Sequence, residues 1–239
     1  MILPRSARRL ILWDVDHTLI ETRGLGGELY ANAFHTATGV RMTRKAEVTG
    51  QTEPSILTAT LRLHGIDADE PYLSRYQAEL AREYDRHRGE LARRGRRLPG
   101  AAETLAVLAE QPTIVQSVLT GNLRQVARIK LEVFDLARYL DLDVGAYGDD
   151  DTDRPKLVAI AQQRATARYG TVFDRDNTVV IGDSSHDIRT GLRGGAHAIG
   201  VASGSESADQ LRATGAITTW NDLTDTAAIT ALVTHAASA

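Results

Sequence analysis

The sequence of 239 residues contains no cysteine. That absence excludes disulfides, thiolate metal sites and cysteine nucleophiles. No apolar run approaches the ~20 residues that a membrane-spanning helix needs, so no membrane association is expected. The formal net charge is only −3, which gives no electrostatic reason to expect nucleic acid as a partner.

What is present is ordinary globular composition, with 42% hydrophobic and 25% charged residues. The length suits one large domain or a domain with a smaller partner. Arginines precede an apolar run near the N-terminus, as in a signal peptide, but Asp14 and Asp16 interrupt that run early. We therefore expect a soluble cytoplasmic protein that is a monomer or a homodimer.

The interrupted run is itself informative. Residues 10–13 are all apolar, and Asp14 and Asp16 follow them one residue apart. A short apolar run of this kind predicts a strand that is buried on both faces. Residues two apart in a strand point the same way, so the two carboxylates are expected to project together from the C-terminal end of the strand.

A helical segment follows this strand. The glycines at 24, 26 and 27 do not meet the G-x-G-x-x-G spacing and are interpreted as a flexible connection. Helices are predicted over residues 29–34, 55–63 and 71–88, and no convincing strand occurs before residue 97. The basic run over residues 86–97 is either a solvated helix end with a linker or a positive rim that attracts an anionic substrate.

The remainder of the chain alternates between strands and helices. This alternation predicts an α/β fold with a doubly wound parallel sheet and right-handed crossovers. Strands are predicted over residues 113–119, 140–144, 177–183 and 196–201. Helices are predicted over residues 101–110, 123–134, 156–169 and 185–193, followed by a C-terminal helical stretch.

Polar clusters follow three of these strands, in the segments 14–16, 120–122 and 182–187. The C-terminal ends of parallel strands lie at one edge of a sheet, so these clusters are expected to share one site. Carboxylates gathered there repel each other unless a cation joins them, and oxygen ligands without cysteine or a histidine cluster favour Mg²⁺. Thr120 and the backbone near Gly121 and Asn122 can donate hydrogen bonds to anionic oxygens.

Such a set of groups is suited to phosphoryl transfer, in which catalysis is mostly positioning and electrostatic stabilisation. An ionised aspartate can attack phosphorus and form an aspartyl-phosphate. A second carboxyl group can donate a proton to the leaving oxygen and later activate water.

These motifs, in this order, resemble those of the haloacid dehalogenase superfamily, in its phosphoglycolate-phosphatase-like branch with a helical cap. The resemblance implies a Mg²⁺-dependent phosphatase acting on a small phosphorylated metabolite. It also implies a core of residues 1–20 and 97–239 and a helical cap domain of residues 21–96. By position, Asp14 resembles the nucleophile and a metal ligand, and Asp16 the general acid and base with its carbonyl on the metal.

The resemblance assigns the later motifs as well. Thr120 matches the phosphate-binding hydroxyl, within the motif of Thr120, Gly121 and Asn122. Asp183 and Asp187 match the two acids of the last motif, which bind or orient the metal. The loop that contains Gln51 and Thr52 resembles a cap loop that faces the core, and we expect one of these two residues to contact substrate.

Two positions depart from the family pattern. His17 stands where glycine is usual, and it either contacts substrate or faces solvent at a turn. The basic residue of the third motif is either Arg154, which would make a forked contact with phosphate, or Lys156, which is the family's commoner residue type. A phosphomutase and a non-catalytic phosphate-binding or regulatory protein remain as alternatives to the phosphatase.

Overall fold

The computed structural model describes residues 8–48 and 50–235. The strands are β1 (Arg9–Trp13), β2 (Ile20–Glu21), β3 (Arg96–Arg97), β4 (Ile114–Val118), β5 (Thr178–Gly182), β6 (His197–Val201) and β7 (Thr219–Trp220). The helices are α1 (Leu25–Thr38), α2 (Glu53–Leu63), α3 (Glu70–Arg86), α4 (Arg88–Arg94), α5 (Ala101–Ala109), α6 (Arg124–Val133), α7 (Arg154–Tyr169), α8 (Ser185–Gly194), α9 (Ala208–Ala213) and α10 (Thr226–His235).

Five strands form a parallel sheet in the order β4-β1-β5-β6-β7. In β1, Ile11 and Trp13 belong to the hydrophobic core on one face, which includes side chains of α5, α6 and α10. Leu10 and Leu12 belong to the core on the opposite face, which includes side chains of α7. This two-sided burial explains why the strand is continuously apolar. The predicted doubly wound α/β fold is confirmed.

Helices α1 to α4 form an insert between β2 and β3, which pair as a short antiparallel ribbon. We call residues 22–95 the helical insert. Its helices pack through aromatic side chains, since the ring centroids of Tyr30 and Tyr76 lie 5.1 Å apart. Of the tyrosines of α3, Tyr76 and Tyr84 are buried and Tyr72 is partly buried against the same core. A bridge between Asp16 and Ile20 joins this ribbon to the segment that follows β1, so both ends of the insert lie beside that segment.

The predicted strand over residues 140–144 is wrong. The backbone N–H of Asp141 donates to the carbonyl of Gln116 over 2.8 Å, and the N–H of Asp143 donates to the Asp141 carboxylate over 3.2 Å. The aspartate side chain thus closes a local turn in competition with extended pairing. Among the described residues, the segment that follows this turn pairs with the chain after β4 through one parallel bridge, between Leu119 and Ala146.

The interpretation of the glycine cluster as a flexible connection is also wrong. Gly24 has φ +87° and precedes α1, while Gly26 and Gly27 lie in the first turn of that helix. A Cβ atom at Gly26 would lie 2.9 Å from the Tyr84 hydroxyl. The glycine therefore permits close packing between α1 and α3.

The basic run forms the helix α4 and strand β3 where a linker was one expectation. Arg94 forms ion pairs with Glu28 over 2.6 Å and with Glu90 over 3.1 Å, and Arg96 pairs with Glu21 over 2.8 Å. These exposed pairs add little stability, but they offset the charge expected of a positive rim.

The C-terminal stretch, expected to be helical, contains α9, the edge strand β7 and α10. Within the described residues, no helix is both long enough and apolar enough to cross a membrane. The domain boundaries after residues 20 and 96 stay a prediction, and the core segments' residues 1–7 and 236–239 lie outside the described residues.

Candidate active site

Three strands of the sheet end at the same cavity, which has a volume of about 710 Å³. Asp14 directly follows β1, Asp183 directly follows β5, and Thr120 lies two residues beyond β4. The helical insert forms the opposite wall, so side chains from both parts of the chain line the cavity. The geometry is that expected for the C-terminal edge of a parallel sheet.

Asp14, Asp183 and Asp187 form an acidic cluster at this edge. Each can offer one carboxylate oxygen, and the three oxygens lie within 4.8 Å of one another. Asp187 is fixed by the capping box at the start of α8, where it accepts hydrogen bonds from the Ser184 hydroxyl over 2.6 Å and from the Ser184 N–H over 3.1 Å. The Thr18 hydroxyl donates to Asp183 over 3.2 Å. An oxygen-only donor set of this kind fits Mg²⁺.

Arg154 neutralises part of this negative charge. Its guanidinium donates to Asp187 over 2.6 Å and lies 3.4 Å from Asp14. The residue is buried at the first position of α7, where the following Pro155 favours helix initiation. Its Nε atom is buried and has no hydrogen-bond partner among the described residues, which leaves one donor of the fork unused.

Two carboxylates of this cluster, Asp14 and Asp183, have raised pKa values. Burial, reinforced by Asp187, raises the pKa of Asp14 well above its usual range, although Arg154 acts in the opposite direction. Burial and the neighbouring Asp187 also raise the pKa of Asp183 to about 7. One guanidinium therefore does not compensate three gathered carboxylates, which is the condition under which a divalent cation is favoured.

Asp16 lies in a different environment. Both of its carboxylate oxygens accept from the Lys130 ammonium, over 2.9 and 2.7 Å, and one also accepts from the Asn122 side-chain amide over 2.7 Å. Lys130 also donates to the Asn122 carbonyl oxygen over 2.8 Å. Burial alone would raise the pKa of Asp16, but Lys130 and Asn122 hold it below its usual value.

Lys130 was not among the predicted site residues. Its side chain is only 4% exposed, and it lies on the face of α6 that buries Val126, Ala127 and Ile129. A lysine in register with the apolar side chains of a helix was the signal available in the sequence. Lys45 and Glu53 of the helical insert also line the cavity and were not predicted.

The segment after β4 presents Thr120, Gly121 and Asn122 to the cavity. The Thr120 hydroxyl accepts from the Asn122 N–H over 3.2 Å and from its side-chain amide over 2.8 Å, so its own proton is available to an anion. A Cβ atom at Gly121 would overlap the carbonyl oxygen of Gln51. The Glu53 N–H donates to the Gly121 carbonyl over 2.8 Å, so the helical insert is seated against this segment.

The remaining predicted residues differ in whether they line the cavity. Gln51 lines the cavity, whereas Thr52 is buried at the start of α2 with its hydroxyl 3.0 Å from that of Ser55. Lys156 is 62% exposed and pairs with Asp151 over 3.5 Å. Of the two basic candidates, the structure brings Arg154 and not Lys156 to the carboxylates.

His17 occupies a backbone conformation that explains the family preference for glycine at this position. Its φ is +63°, in the left-handed region. Its carbonyl accepts from the Ser203 hydroxyl over 2.6 Å, and its N–H donates to the carbonyl of Ile20 over 2.8 Å. These bonds fix the turn that carries the chain from Asp16 towards the helical insert.

The family model of haloacid dehalogenase-like hydrolases matches residues 11–191. The chain belongs to this family. The match includes the segments that carry Asp14, Thr120, Arg154 and Asp183, and it confirms the resemblance inferred from the motifs.

Individual relatives agree with this assignment. The chain is 35% identical over 115 residues to "Probable phosphatase IndB" of Dickeya dadantii, a match that covers 48% of this chain and 47% of that protein. The chain thus spans about half the length of this relative. It is 25% identical over 191 residues, or 80% of each chain, to PpaX of Caldanaerobacter subterraneus, whose name proposes a pyrophosphatase. A crystal structure described as a predicted phosphoglycolate phosphatase of Haemophilus somnus shares the fold, with a TM-score of 0.65 and 16% identity over 93% of this chain and 98% of that one.

Proposed function

We propose that this hydrolase is a Mg²⁺-dependent phosphatase that cleaves a small phosphate monoester through an aspartyl-phosphate on Asp14. The observation that carries the proposal is the position of Asp14, which lies at the cavity beside Asp183, Asp187 and Arg154. An aspartate held there can attack phosphorus while neighbouring cations offset the charge of the phosphate. The name of the relative IndB supports the same activity.

The metal would be held by the carboxylates of Asp14, Asp183 and Asp187, with the backbone carbonyl of Asp16 as a further ligand. When bound, Mg²⁺ supplies positive charge that offsets the repulsion between Asp14 and the phosphate oxygens. Arg154 contributes a second positive charge on the same side and replaces the lysine that is common in the family.

In the first step, a carboxylate oxygen of Asp14 forms a bond to phosphorus as the bond from phosphorus to the leaving oxygen breaks. Asp16 donates a proton to that oxygen. The negative charge of the arriving ester favours the protonated form of Asp16, although Lys130 favours its ionised form in the free site. In the second step, Asp16 takes a proton from water, the water oxygen bonds to phosphorus, and Asp14 is released.

The phosphate oxygens would be bound by the Thr120 hydroxyl, the Gly121 N–H and Arg154, and Asn122 would orient that hydroxyl through the hydrogen bonds that it donates to it. The leaving group would face Gln51, Lys45 and Glu53 on the wall formed by the helical insert. These side chains are polar, so we expect a polar leaving group. Thr52 would act by shaping the loop, because its hydroxyl is directed to Ser55.

The direct test is hydrolysis of p-nitrophenyl phosphate by the purified protein. We expect turnover with Mg²⁺, none with EDTA, and loss of turnover in Asp14→Asn. Asp176→Asn, which changes an exposed carboxylate before β5, at the end of that strand opposite to Asp183, is the matched control. Turnover that survives EDTA would contradict the proposal. Analysis of products from a sugar phosphate separates a phosphatase, which releases phosphate, from a mutase, which releases an isomer.

A further inference from the structure

We propose that Lys130 is a positioning residue that fixes the carboxyl group of Asp16 for proton transfer to the leaving oxygen. The inference rests on the proposed phosphatase activity and goes beyond it, because it adds a second cation to the site with a separate task. Arg154 serves the nucleophile, and Lys130 serves the acid.

The contacts of Lys130 restrict Asp16 on several sides. The ammonium lies within 2.9 Å of both oxygens of Asp16, and Asn122 links the two groups through hydrogen bonds of 2.7 and 2.8 Å. A carboxylate held at both oxygens cannot rotate freely about its terminal torsion, which is otherwise a soft degree of freedom. The Asp16 side chain nevertheless remains 33% exposed towards the cavity, so a substrate oxygen can reach it.

The burial of Lys130 argues for a specific role. Removing an ammonium group from water is costly, and replacing buried ion pairs by apolar residues often leaves a protein equally stable. The adjacent α6 residues Val126, Ala127 and Ile129 are buried and apolar, so apolar side chains in place of both Asp16 and Lys130 would be compatible with a stable fold. Stability alone therefore does not account for the Asp16–Lys130 ion pair, whereas the orientation of a catalytic Asp16 does.

Lys130 also contacts the helical insert. Its ammonium lies 5.2 Å from the ring centroid of Tyr84 on α3, a distance at which a cation and an aromatic ring attract each other. Lys130 thus connects Asp16 of the core with the wall that faces the leaving group. The group that would deliver the proton, Asp16, therefore lies next to the wall that would contact the leaving group.

This role has a signature in the choice of substrate. The p-nitrophenolate ion leaves readily without a proton. Phenol has a pKa near 10, like the tyrosine side chain, so phenolate is a poorer leaving group that benefits from proton donation. A residue that orients the acid should therefore matter more for phenyl phosphate than for p-nitrophenyl phosphate. A residue that only supports the fold should matter equally for both esters.

The experiment compares kcat/KM for the two esters in wild type, Lys130→Met, Lys130→Arg and the control Arg128→Met. We expect Lys130→Met to lower kcat/KM for phenyl phosphate by about 100-fold, the usual scale of general acid catalysis. The loss of kcat/KM for p-nitrophenyl phosphate should be at most about tenfold. Lys130→Arg retains the charge with a different shape, so we expect a smaller loss with the same preference. Arg128 lies on the same helix, 47% exposed, and its loss should change neither ester.

Inhibition by inorganic phosphate provides a second readout. Lys130 contacts the side chains of Asp16 and Asn122, whereas Thr120, Gly121 and Arg154 would bind the phosphate. The inhibition constant for phosphate should therefore stay within about threefold of wild type in Lys130→Met, a difference below about 1 kcal/mol. Equal losses for the two esters in both Lys130 variants would overturn the inference, as would unchanged activity. If Lys130→Met does not fold, the preference in Lys130→Arg decides. Absence of wild-type turnover with Mg²⁺ would refute the proposed function instead, so the two failures are distinguishable.

Discussion

Asp14 and Asp16 are two residues apart, yet their surroundings differ in charge. Around Asp14, the described residues gather three carboxylates beside one guanidinium, that of Arg154, which pairs with Asp14 and Asp187. Around Asp16, one carboxylate meets one ammonium and one amide. We call the first group the acidic half and the second the balanced half. The difference indicates where a metal would bind, because among the described residues the acidic half has more carboxylates than cations.

The pKa shifts follow the same division. Burial and neighbouring carboxylates raise the pKa of Asp14 and Asp183, whereas Lys130 and Asn122 outweigh burial and lower the pKa of Asp16. Because the ionised forms of Asp14 and Asp183 are disfavoured in the acidic half, a divalent cation would stabilise them. In the balanced half, Lys130 and Asn122 hold Asp16 in place without a divalent cation.

The largest expected effect concerns the two aspartates themselves. Asp14→Asn removes the nucleophile and should lower kcat by at least about 10⁴-fold, whereas Asp16→Asn removes a general acid and should cost about 10²- to 10⁴-fold. Steady-state kinetics with p-nitrophenyl phosphate measures both. The comparison would be broken if Asp14→Asn kept more activity than Asp16→Asn.

The two cations should differ in their response to metal. In EDTA, Arg154→Met leaves the buried carboxylates of Asp14 and Asp187 without their ion pair, and we expect it to lower the free energy of unfolding by about 3 to 5 kcal/mol. Lys130→Met leaves Asp16, which is partly exposed and still bound by Asn122, so we expect a smaller loss of about 1 to 3 kcal/mol. Added Mg²⁺ should recover part of the loss in Arg154→Met, because the metal binds the same carboxylates, and little of it in Lys130→Met. Urea unfolding with and without Mg²⁺ measures this.

The matched control for these two variants is Lys156→Met, which breaks an exposed ion pair on the same helix as Arg154. It should change the free energy of unfolding by less than about 1 kcal/mol. Equal recovery by Mg²⁺ in the Arg154 and Lys130 variants would show that the two halves are not separate.

The pH dependence of stability should have opposite signs in the two halves. A pKa of Asp183 raised to about 7 means that the folded protein binds a proton more tightly than the unfolded chain. Its contribution is therefore present at low pH and lost as the pH rises from about 4, the unfolded value, to that folded pKa. The lowered pKa of Asp16 has the reverse effect, so its contribution is lost as the pH falls below about 4.

Thermal unfolding in EDTA between these pH values isolates the acidic half. Asp183→Asn should flatten the loss of stability as the pH rises, and Mg²⁺ should do the same in wild type by favouring the ionised carboxylates. A stability profile in which Asp183→Asn keeps the wild-type slope would contradict the assignment.

The smallest expected effect is at His17, between the two halves and the insert. His17→Gly removes a side chain from a left-handed conformation and should raise the free energy of unfolding by about 1 kcal/mol. His35→Gly, in the exposed face of α1, should instead lower it by about 1 kcal/mol. Differential scanning calorimetry of both variants checks the two signs, and destabilisation by His17→Gly would show that its side chain makes a necessary contact.

The sequence was most informative where one geometric rule applies. Strand residues two apart share a direction, and parallel strands end at one edge, so Asp14, Thr120 and Asp183 could be placed together without coordinates. The parallel fold followed from the alternation of strands and helices. The prediction of a strand over residues 140–144 was wrong because a local turn closed by the Asp141 side chain competes with pairing at the sheet edge.

The helix-borne residues were harder to place. Arg154 and Lys156 are two apart, and only the start of α7 decides which one faces the carboxylates. Lys130 was missed because a lysine in a helix is ordinarily solvated, and its partner Asp16 is 114 residues away. Sequence periodicity shows that such a residue faces inward, but not which charge it meets.

The central claim is that Asp14 receives the phosphoryl group. The most direct measurement is rapid mixing of the enzyme with p-nitrophenyl phosphate and Mg²⁺, followed by acid quenching, digestion and mass spectrometry of the peptide that contains residue 14. We expect one phosphoryl group on Asp14, absent when EDTA replaces Mg²⁺ and absent in Asp14→Asn. A phosphoryl group on a different residue during turnover would contradict the account.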